Sequence, residues 1–551
     1  MIFAQERSIF LPTKDLLSYA FDNPAYNQDG PVESIYAHDP SHSISCNQAR
    51  KLVRQLIKGL RMSGLQNGDC VAVHSFNSIY YTILVLAIVS AGGIFTGTNP
   101  SHTSAELVHH IKTSRVRFIF SEPTPDLLGR VMESARQTKI PEQNIWVFPT
   151  NCSSKMTHGL RSWESLFTHG EEDWIRFDDL ATAQCITAMR FFSRGTTGLP
   201  KAVDITHYNM VAQHELVFEA HPRPYRVAHL AALPVFHAAI APLVHIGTMR
   251  SGYIAYIMRR FDLALYLDFI DKYSITDLIV VPPILTAIIA CGHPGQATSL
   301  KKLKSIVCGA APLDKDMQNR LRPLLADGVP LTQGWGMTET CCASTMFPYP
   351  ENDETGSVGR LIPNIEAKLI DDSGSLISTP NTPGELCIRG PTVTPGYFNN
   401  PTANESTFMS SGWLRTGDIA RCDPATRNWY IVGRKKELIK VRGFQIAPLE
   451  IEAVLLSHPD VVDAAVIGVP VPELGTELPR AFVVRGSKSE LSVTAITAYA
   501  ADRLAGYKRL SGGVRFLDAI PRNASGKILR QALGAMDERK LGDLGRTGSK
   551  L

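Results

Sequence analysis

The sequence predicts an α/β protein with a large N-terminal domain of several subdomains and a small α+β domain at its C-terminal end. Between about residues 45 and 290, helical patterns alternate with continuous apolar runs, for example 71–73, 118–120 and 278–281. Such runs are typical of strands buried on both faces of a mostly parallel sheet. With 551 residues the chain is too long for one compact core, so several structural units are expected.

A change of pattern near residue 433 predicts the domain boundary. The stretch 431–437 ends in four consecutive charged residues and separates two structured regions. Beyond it, the sequence predicts helix 448–457, strands 464–469 and 481–484, helix 493–504 and a last helix that starts near Lys527. We therefore predict an N-terminal domain over 1–432, a hinge over 433–436 and a C-terminal domain over 437–551, a size usual for an independent domain.

Composition and charge argue against several classes of function. The net charge of +4 is small for this length and the basic residues are spread along the chain, so no nucleic-acid-binding surface is predicted. The N-terminus lacks the apolar stretch of a signal peptide, and the longest apolar run, 83–95, is too short to span a bilayer. The ten cysteines include no Cys-x-x-Cys pair and are interpreted as reduced thiols in a soluble protein.

The most informative segment is 191–201, which reads Phe-Phe-Ser-Arg-Gly-Thr-Thr-Gly-Leu-Pro-Lys. Glycines allow a tight turn close to a bound group, hydroxyls donate hydrogen bonds, and a lysine adds positive charge, so the segment is suited to binding phosphate. It is not a Walker A loop, because Leu199 and Pro200 follow Gly198 where that motif requires Lys and then Ser or Thr. The predicted phosphate-binding residues are Ser193, Arg194, Gly195, Thr196, Thr197, Gly198 and Lys201.

Three further segments carry groups that suit a nucleotide. Residues 309–312 (Gly-Ala-Ala-Pro) and 333–339 (Gln-Gly-Trp-Gly-Met-Thr-Glu) each follow an apolar run, and ligands of parallel sheets bind at the C-terminal ends of strands. In the second segment Thr338 can donate to a phosphate, and the Glu339 carboxylate suits Mg²⁺ beside it. In 413–418, the Asp418 carboxylate can accept two hydrogen bonds from a cis-diol.

Together these motifs resemble those of the adenylate-forming superfamily, which includes acyl- and aryl-CoA synthetases, peptide-synthetase adenylation domains and beetle luciferases. The resemblance extends from about residue 45 to Lys527, with the motifs in family order. Segments 359–364, 396–401 and 436–440 look most like the 4-coumarate:CoA ligase branch. Arg194 departs from the pattern, since relatives have a small residue there that can offer a hydroxyl. The resemblance implies a C-terminal domain that is mobile about Lys436.

The resemblance also implies a role for each motif residue. Thr338 would bind the α-phosphate and Glu339 the Mg²⁺, while Asp418 and Arg434 would bind the ribose. Lys527 would neutralise charge during adenylate formation, assisted by Lys440 and Gln445, and Gly443 would line the path of the CoA thiol after the domain rotates. The implied nucleotide-binding set is completed by Gly309, Ala310, Ala311, Pro312, Gly334, Trp335, Gly336 and Met337.

His237 is the candidate residue for the acid and thiol site. It matches a histidine of aryl-CoA ligases that gates the path of carboxylate and thiol, and Ala238 and Ala239 beside it suggest room in the pocket. Amino-acid-activating relatives generally have Asp at this position. With a histidine there, a substrate ammonium would be buried without a partner, so a non-amino carboxylic acid is favoured. By contrast, His109 and His110 lack other metal ligands and are interpreted as a helix surface.

These features predict an ATP- and Mg²⁺-dependent acid:CoA ligase, which would form an acyl-AMP and transfer the acyl group to CoA. The acid could be aryl, fatty or polyketide-like. Luciferase-like oxidation of an adenylate, or adenylation for loading onto a carrier protein, are the alternatives that the residues leave open. The final tripeptide, Ser549, Lys550 and Leu551, matches the peroxisomal import address and predicts binding to the import receptor and a peroxisomal location.

Overall fold

The computed structural model describes most of the chain. The described residues are 2–4, 7–22, 32–148, 159–193, 199–291, 296–313, 315–441, 444–471, 476–486, 489–523 and 526–536. Three predicted site regions, 194–198, Gly443 and 549–551, lie outside them. No helix in the described part of the chain combines the length and the hydropathy needed to cross a membrane.

The first sheet has eight strands and carries the predicted phosphate segment. In spatial order the strands are Gly396–Tyr397, Lys201–Thr206, Thr187–Ser193, Ile94–Gly97, Cys70–His74, Val116–Ser121, Ile145–Val147 and Arg161–Ser162. The six from Thr187–Ser193 onward pair in parallel, and the other two are antiparallel. The apolar helix Ile79–Ser90 is buried almost all round, as expected for a helix without a polar face.

The second sheet has seven strands and is parallel except at one edge. In spatial order these are Leu331–Gln333, Ser305–Cys308, Asp277–Val280, Ala228–Ala231, Ile254–Ile257, Val32–Tyr36 and Ser43–Ser45. Their short runs of Val, Ile and Leu are covered on both faces by helices and by the first sheet's core. The prediction of a mostly parallel α/β architecture is therefore confirmed.

The third sheet is antiparallel and ends at the predicted boundary. Its strands are Ile2–Phe3, Glu366–Ile370, Gly384–Arg389, Leu414–Cys422 and Trp429–Arg434. Gly433 and Arg434 pair in register with Ile419 and Asp418, so the first half of the predicted hinge is still strand. A small sheet of Trp335–Met337, Cys342–Met346 and Arg360–Leu361 lies beside it.

The C-terminal domain has a separate hydrophobic core. It contains the hairpin Ile439–Val441 and Phe444–Ile446, the strands Val461–Val471, Thr476–Arg485 and Val514–Phe516, and the helices Pro448–Leu456 and Val493–Ala501. Both predicted strands and the first two predicted helices are present within about five residues of their expected bounds, and the last predicted helix begins at residue 530. Ile439, Ile451, Val466, Val483 and Ile496 belong to its buried core.

The remaining helical segments connect and cover the sheets. The α-helices of the N-terminal domain are Leu16–Phe21, Cys46–Met62, Ile79–Ser90, Ser104–Ser114, Pro125–Thr138, Leu180–Cys185, His207–His214, Thr248–Ser251, Leu263–Lys272, Pro282–Ala290, Gln296–Leu300, Lys315–Leu321 and Pro401–Thr407. Short 3-10 turns occur at Glu142–Asn144, Trp163–His169, Arg322–Leu324, Thr338–Thr340 and Gly506–Lys508. Two π-helical turns occur at Glu215–Glu219 and Leu243–Gly247, and both contribute residues to the wall of a large cavity.

Candidate active site

A cavity of about 1510 Å³ lies where the three sheets meet the C-terminal domain. Strands of the first and second sheets end at it, as expected for a ligand site in an α/β fold. Most of the predicted nucleotide residues that the structure describes line it: Ser193, Lys201, Gly309, Ala310, Gly334, Trp335, Gly336, Met337, Thr338, Glu339, Arg434 and Lys527. The tertiary structure therefore gathers motifs that are up to about 330 residues apart in the sequence.

The described ends of the predicted phosphate segment lie on two antiparallel strands. Ser193, at the end of one strand, is the register partner of Lys201, at the start of the other. The Lys201 Nζ lies 4.5 Å from the centroid of the Tyr397 ring, which places the ammonium at the cavity wall. Arg194 to Gly198 lie outside the described residues.

Helix Ser104–Ser114 packs against the two strands at the ends of the predicted phosphate segment. This packing was not predicted from the sequence. The His110 ring stacks on Phe192 with 3.8 Å between centroids, and its Nε2 lies 2.8 Å from Thr96 Oγ1. His109 Nε2 lies 2.9 Å from the Pro200 carbonyl oxygen. The expectation that both histidines lie on a helix surface is wrong for His110, which is 2% exposed. Its spacing from Leu107, Ile111 and Ser114 is that of a buried helix face, a signal available in the sequence.

Glu339 lies in a short 3-10 turn at the cavity wall. The side chain is 2% exposed, and its Oε1 accepts a hydrogen bond of 2.8 Å from the Tyr397 hydroxyl. Burial and the adjacent carboxylate raise the pKa of Tyr397, which keeps this hydroxyl a donor. The Oε2 atom is buried with no hydrogen-bond partner among the described residues. A buried carboxylate oxygen without a donor is costly, so this atom suits a cation beside the phosphates.

Asp418 is held by two neighbours at the third sheet. Its Oδ2 accepts a hydrogen bond of 2.9 Å from Trp335 Nε1, and Arg434 Nε lies 2.9 Å from Oδ1. Thr416 Oγ1 accepts from the Asp418 amide and donates to the Leu386 carbonyl, which fixes the turn before Asp418. Asp418 itself is buried and does not line the cavity, whereas its neighbours Thr416 and Gly417 and its partner Arg434 do.

Gly336 lies where two strands of the small sheet approach closely. A Cβ on Gly336 would lie 1.6 Å from the Cys342 carbonyl oxygen, so no side chain fits between the paired strands of the small sheet. Gln333 anchors the neighbouring loop, because its Oε1 accepts a hydrogen bond of 2.7 Å from the Leu313 amide. Within that loop Gly309 and Ala310 line the cavity, whereas Ala311 and Pro312 do not.

Lys527 reaches the cavity from the C-terminal domain. A Cβ on the preceding Gly526 would lie 3.2 Å from Pro283, which shows how closely the two domains approach here. The Lys527 amide donates to Asn523 Oδ1, and Nζ lies 3.9 Å from Glu437 Oε1. Burial, reinforced by the positive charge of Arg434, lowers the pKa of Lys527 to about 8. An ammonium in this position can meet the negative charge that develops on the α-phosphate.

The other predicted residues of the C-terminal domain are placed differently. Lys440 is exposed on the hairpin, opposite Gln445 in register, and does not line the cavity. Its amide donates a hydrogen bond of 2.8 Å to Glu477 Oε2, and Glu477 does line the cavity. Lys436 lines the cavity just beyond the last strand of the third sheet. Gly443 lies outside the described residues.

His237 lies in the loop that follows strand Ala228–Ala231 and lines the cavity. Its Nδ1 accepts a hydrogen bond of 3.2 Å from the Ala239 amide, so the ring proton of the neutral form is on Nε2. Burial lowers the pKa of His237, which favours that neutral form. The Ala239 carbonyl in turn accepts from Cys342 Sγ at 3.3 Å. The geometry therefore leaves one ring N–H donor, at Nε2, on a residue of the cavity wall.

Part of the cavity wall was not predicted by the sequence motifs, and we call the space that it bounds the chamber. Its residues are apolar and partly aromatic: Val217, Phe218, Phe236, Leu243, Tyr253, Ile279, Val307, Ala343 and Met346. Three polar residues, Arg223, His229 and Asp277, also line the cavity. These residues come from separate strands and turns. In the sequence, only the alternation of side chains along each strand could have indicated that they face the same space.

The chain matches known proteins over almost its whole length. Residues 21–398 match the family of AMP-binding enzymes, and residues 450–527 match the C-terminal domain of AMP-binding enzymes. The chain is 52% identical to phenylacetyl-CoA ligase epaB of Aspergillus niger, covering 98% of this chain and 100% of the relative. It is also 52% identical to acyl-CoA ligase azaF of Aspergillus niger, covering 97% and 100%. The structure of ATP-bound MatB from Rhodopseudomonas palustris superposes with a TM-score of 0.83 at 24% identity, covering 94% and 98%.

The chain therefore belongs to the AMP-binding enzyme family, and its fold is that of the adenylate-forming enzymes. Within that family it is an ATP-dependent carboxylic acid:CoA ligase that forms AMP. Four of the predicted nucleotide and catalytic residues, Lys201, Thr338, Arg434 and Lys527, line the cavity, and Asp418 contacts Arg434. The residues of the chamber lie outside these motifs.

Proposed function

We propose that the acid is an aromatic carboxylic acid of the arylacetic type. The observation that supports this most directly is the chamber, whose walls include three aromatic side chains, Phe218, Phe236 and Tyr253. Flat rings pack well against such walls. A relative that is 52% identical over nearly the whole chain is named as a phenylacetyl-CoA ligase. A neutral His237 in the cavity wall offers no charge to pair with a substrate ammonium, which disfavours amino acids.

The test is AMP formation by the purified enzyme with ATP, CoA and single acids. The acids are phenylacetate, benzoate, hexanoate and phenylalanine. Compared with phenylacetate, benzoate lacks the linker, hexanoate lacks the ring and phenylalanine carries an α-amino group. We expect phenylacetate to give the highest kcat/KM and phenylalanine the lowest, by at least about 100-fold, because a buried unpaired ammonium is costly. A kcat/KM for hexanoate above that for phenylacetate would contradict the aromatic assignment.

Mg²⁺ is proposed as the metal that accompanies ATP. The buried Glu339 Oε2, which lacks a donor in the described structure, would be its protein ligand, and the triphosphate would supply further oxygens. When bound, the ion neutralises charge on the phosphates. Glu339→Gln preserves the size and the hydrogen bond to Tyr397 but removes the charge, so the Mg²⁺ concentration for half-maximal activity should rise about tenfold or more. An unchanged Mg²⁺ requirement would remove Glu339 from this role.

We also propose that the enzyme acts in peroxisomes, supported by the tripeptide Ser549, Lys550 and Leu551. A fluorescent protein fused to the N-terminus of the chain should co-localise with a peroxisomal marker. Deletion of Leu551 should disperse it, while Arg546→Ala, a nearby change outside the tripeptide, should not. Peroxisomal fluorescence from the deletion variant would show that the tripeptide is not responsible.

A further inference from the structure

One row of residues across the second sheet forms a polar part of the cavity wall. His229 and Asp277 are register partners on adjacent parallel strands, and Asp277 is in turn the partner of Ser305. The residues that follow them on each strand, Leu230, Leu278 and Ile306, belong to the buried core of the second sheet, and of these only Leu278 also borders the cavity. Side chains alternate between faces along a strand, so His229, Asp277 and Ser305 share the cavity face, and all three line the cavity.

The distance from this row to the nucleotide follows from strand geometry. Ile279 and Val307 line the cavity on the same face, one step closer to the strand ends, and Gly309 lies at the nucleotide end. Ser305 and Gly309 are four residues apart, which corresponds to about 13 Å at about 3.3 Å per residue. An aromatic ring with a short linker to its carboxylate fits within that length, so its far edge would face the row.

Asp277 presents an oxygen that lacks a partner. Its Oδ1 contacts Arg223 Nε at 3.2 Å and accepts from the Tyr225 hydroxyl at 3.3 Å. Its Oδ2 is buried without a hydrogen-bond partner in the described part of the chain. The residue is 9% exposed, so bulk water does not solvate this oxygen freely. Because Arg223 already compensates the charge, the unused oxygen calls for a neutral donor more than for a cation.

His229 presents a second unused acceptor. Its Nδ1 lies 3.3 Å from the Asp277 carbonyl oxygen, and a carbonyl can only accept, so Nδ1 carries the proton. Burial lowers the pKa of His229 to about 4, and the ring is therefore neutral at pH 7. Its Nε2 is then an acceptor, and it too is buried with no partner among the residues described. The side chain is 2% exposed.

We propose that His229 and Asp277 form a specificity site for an acid that carries an uncharged hydrogen-bond donor, such as a hydroxyl, at the end opposite its carboxylate. The inference rests on the proposed aromatic acid and makes it more specific. Two buried acceptors without donors, facing an otherwise apolar chamber, favour a ligand that brings the missing O–H. An acid without the donor leaves both acceptors unpaired, and an ammonium would meet Arg223 beside Asp277.

The experiment compares three ring-substituted acids with the full-length enzyme. The compounds are 4-hydroxy-, 4-methoxy- and 4-methylphenylacetate, which differ only at the ring position that would face the row. The hydroxyl can donate a hydrogen bond, the methoxy group can only accept one, and the methyl group can do neither. We expect kcat/KM for the hydroxy acid to exceed the other two by about 10- to 100-fold, the usual effect of leaving buried polar groups unpaired. Equal kcat/KM values for the three acids would mean that water alone donates hydrogen bonds to the acceptors of His229 and Asp277. This result would overturn the inference.

Variants identify the acceptor. His229→Leu removes the Nε2 acceptor and should reduce the preference for the hydroxy acid about tenfold, whereas His229→Gln retains an acceptor and should keep most of it. Ile279→Val, a wall change one step from Asp277, should alter kcat/KM for the three acids in parallel. An undiminished preference in folded His229→Leu would overturn the role of His229. If a variant fails to fold, the comparison of the three acids with the unmodified enzyme still decides the question.

The outcomes for the two proposals can be distinguished. Conversion of phenylacetate without any advantage of the hydroxy acid rejects the specificity site and leaves the aromatic assignment standing. Absence of conversion of every arylacetic acid, with activity toward a fatty acid, rejects both.

Discussion

Asp418 and Arg434 face each other across the last two strands of the third sheet, with Arg434 Nε 2.9 Å from Asp418 Oδ1. The sheet ends at Arg434, and the C-terminal domain starts within a few residues. The same arginine helps to lower the pKa of Lys527, a residue of the other domain. One guanidinium therefore acts electrostatically on both Asp418 and Lys527, the residues to which the family resemblance assigns ribose binding and charge neutralisation.

Asp418→Asn should weaken nucleotide binding. The amide retains one acceptor, but it loses the charge that pairs with Arg434 and the second acceptor for a diol. We expect kcat/KM for ATP to fall about 10- to 100-fold, equivalent to about 1.4 to 2.7 kcal/mol, with a smaller change in the KM for the acid. Asp423→Asn, at a half-buried turn aspartate just beyond the end of the same strand, is the matched control. An equal loss in both variants would point to general damage to the sheet.

Lys527→Ala should separate the two half-reactions. The ammonium is placed to meet charge that develops on the α-phosphate, so acid-dependent pyrophosphate release should fall at least about 100-fold. Thioester formation from presynthesised acyl-adenylate should change less than about fivefold, since that step does not involve pyrophosphate departure. Lys508→Ala, which removes a lysine paired with Glu450 on the same domain, should leave both steps intact. Equal loss of both steps in Lys527→Ala would reject the assignment.

The lowered pKa of Lys527 predicts an alkaline limit to adenylation. The lysine carries its positive charge below a pKa of about 8 and loses it as the pH rises through that value. Because kcat/KM reports ionisation in the free enzyme, kcat/KM for ATP should be flat near neutral pH and fall about tenfold per pH unit above about 8. In Lys527→Arg the guanidinium stays charged, so any remaining activity should not decrease at alkaline pH. A decrease of kcat/KM at the same pH in the arginine variant would show that another group causes it.

Buried neutral histidines predict loss of stability in acid. Burial lowers the pKa of His74, His207 and His214 to about 3. Between pH 6.5 and about 3 the unfolded chain binds protons at these rings and the folded chain does not, so the unfolding free energy falls as the pH falls. Each group contributes up to about 1.4 kcal/mol per pH unit in that window.

The measurement is the thermal unfolding midpoint as a function of pH. His207→Gln should reduce the slope below pH 6.5, because glutamine does not titrate while its carbonyl can still accept from the Leu16 amide, which now donates to Nδ1 at 3.0 Å. His169→Gln, at an exposed end of a 3-10 helix, should leave the slope unchanged. Identical slopes for the wild-type protein and His207→Gln would contradict this origin of acid sensitivity.

Much of the nucleotide site could be predicted from short motifs. Glu339, Asp418 and Lys527 belong to contiguous segments whose residue types and spacing suit phosphate, metal and ribose, and the structure places all three segments at one cavity. Local sequence also predicted the helices and strands of the C-terminal domain, since amphipathic periodicity is a local property. His110 shows the limit of such reasoning, because its burial against Phe192 depends on a strand some 80 residues away.

The sequence alone determined the parallel α/β class and the set of nucleotide-binding motifs, because apolar periodicity and motif chemistry are properties of neighbouring residues. The type of reaction followed from the resemblance of those motifs to the adenylate-forming superfamily. The tertiary structure decided which side chains form the chamber and the polar row in the cavity wall. His229 and Asp277 are 48 residues apart and have no motif around them. They meet only because two parallel strands pair in one particular register, and register follows from packing of the whole sheet.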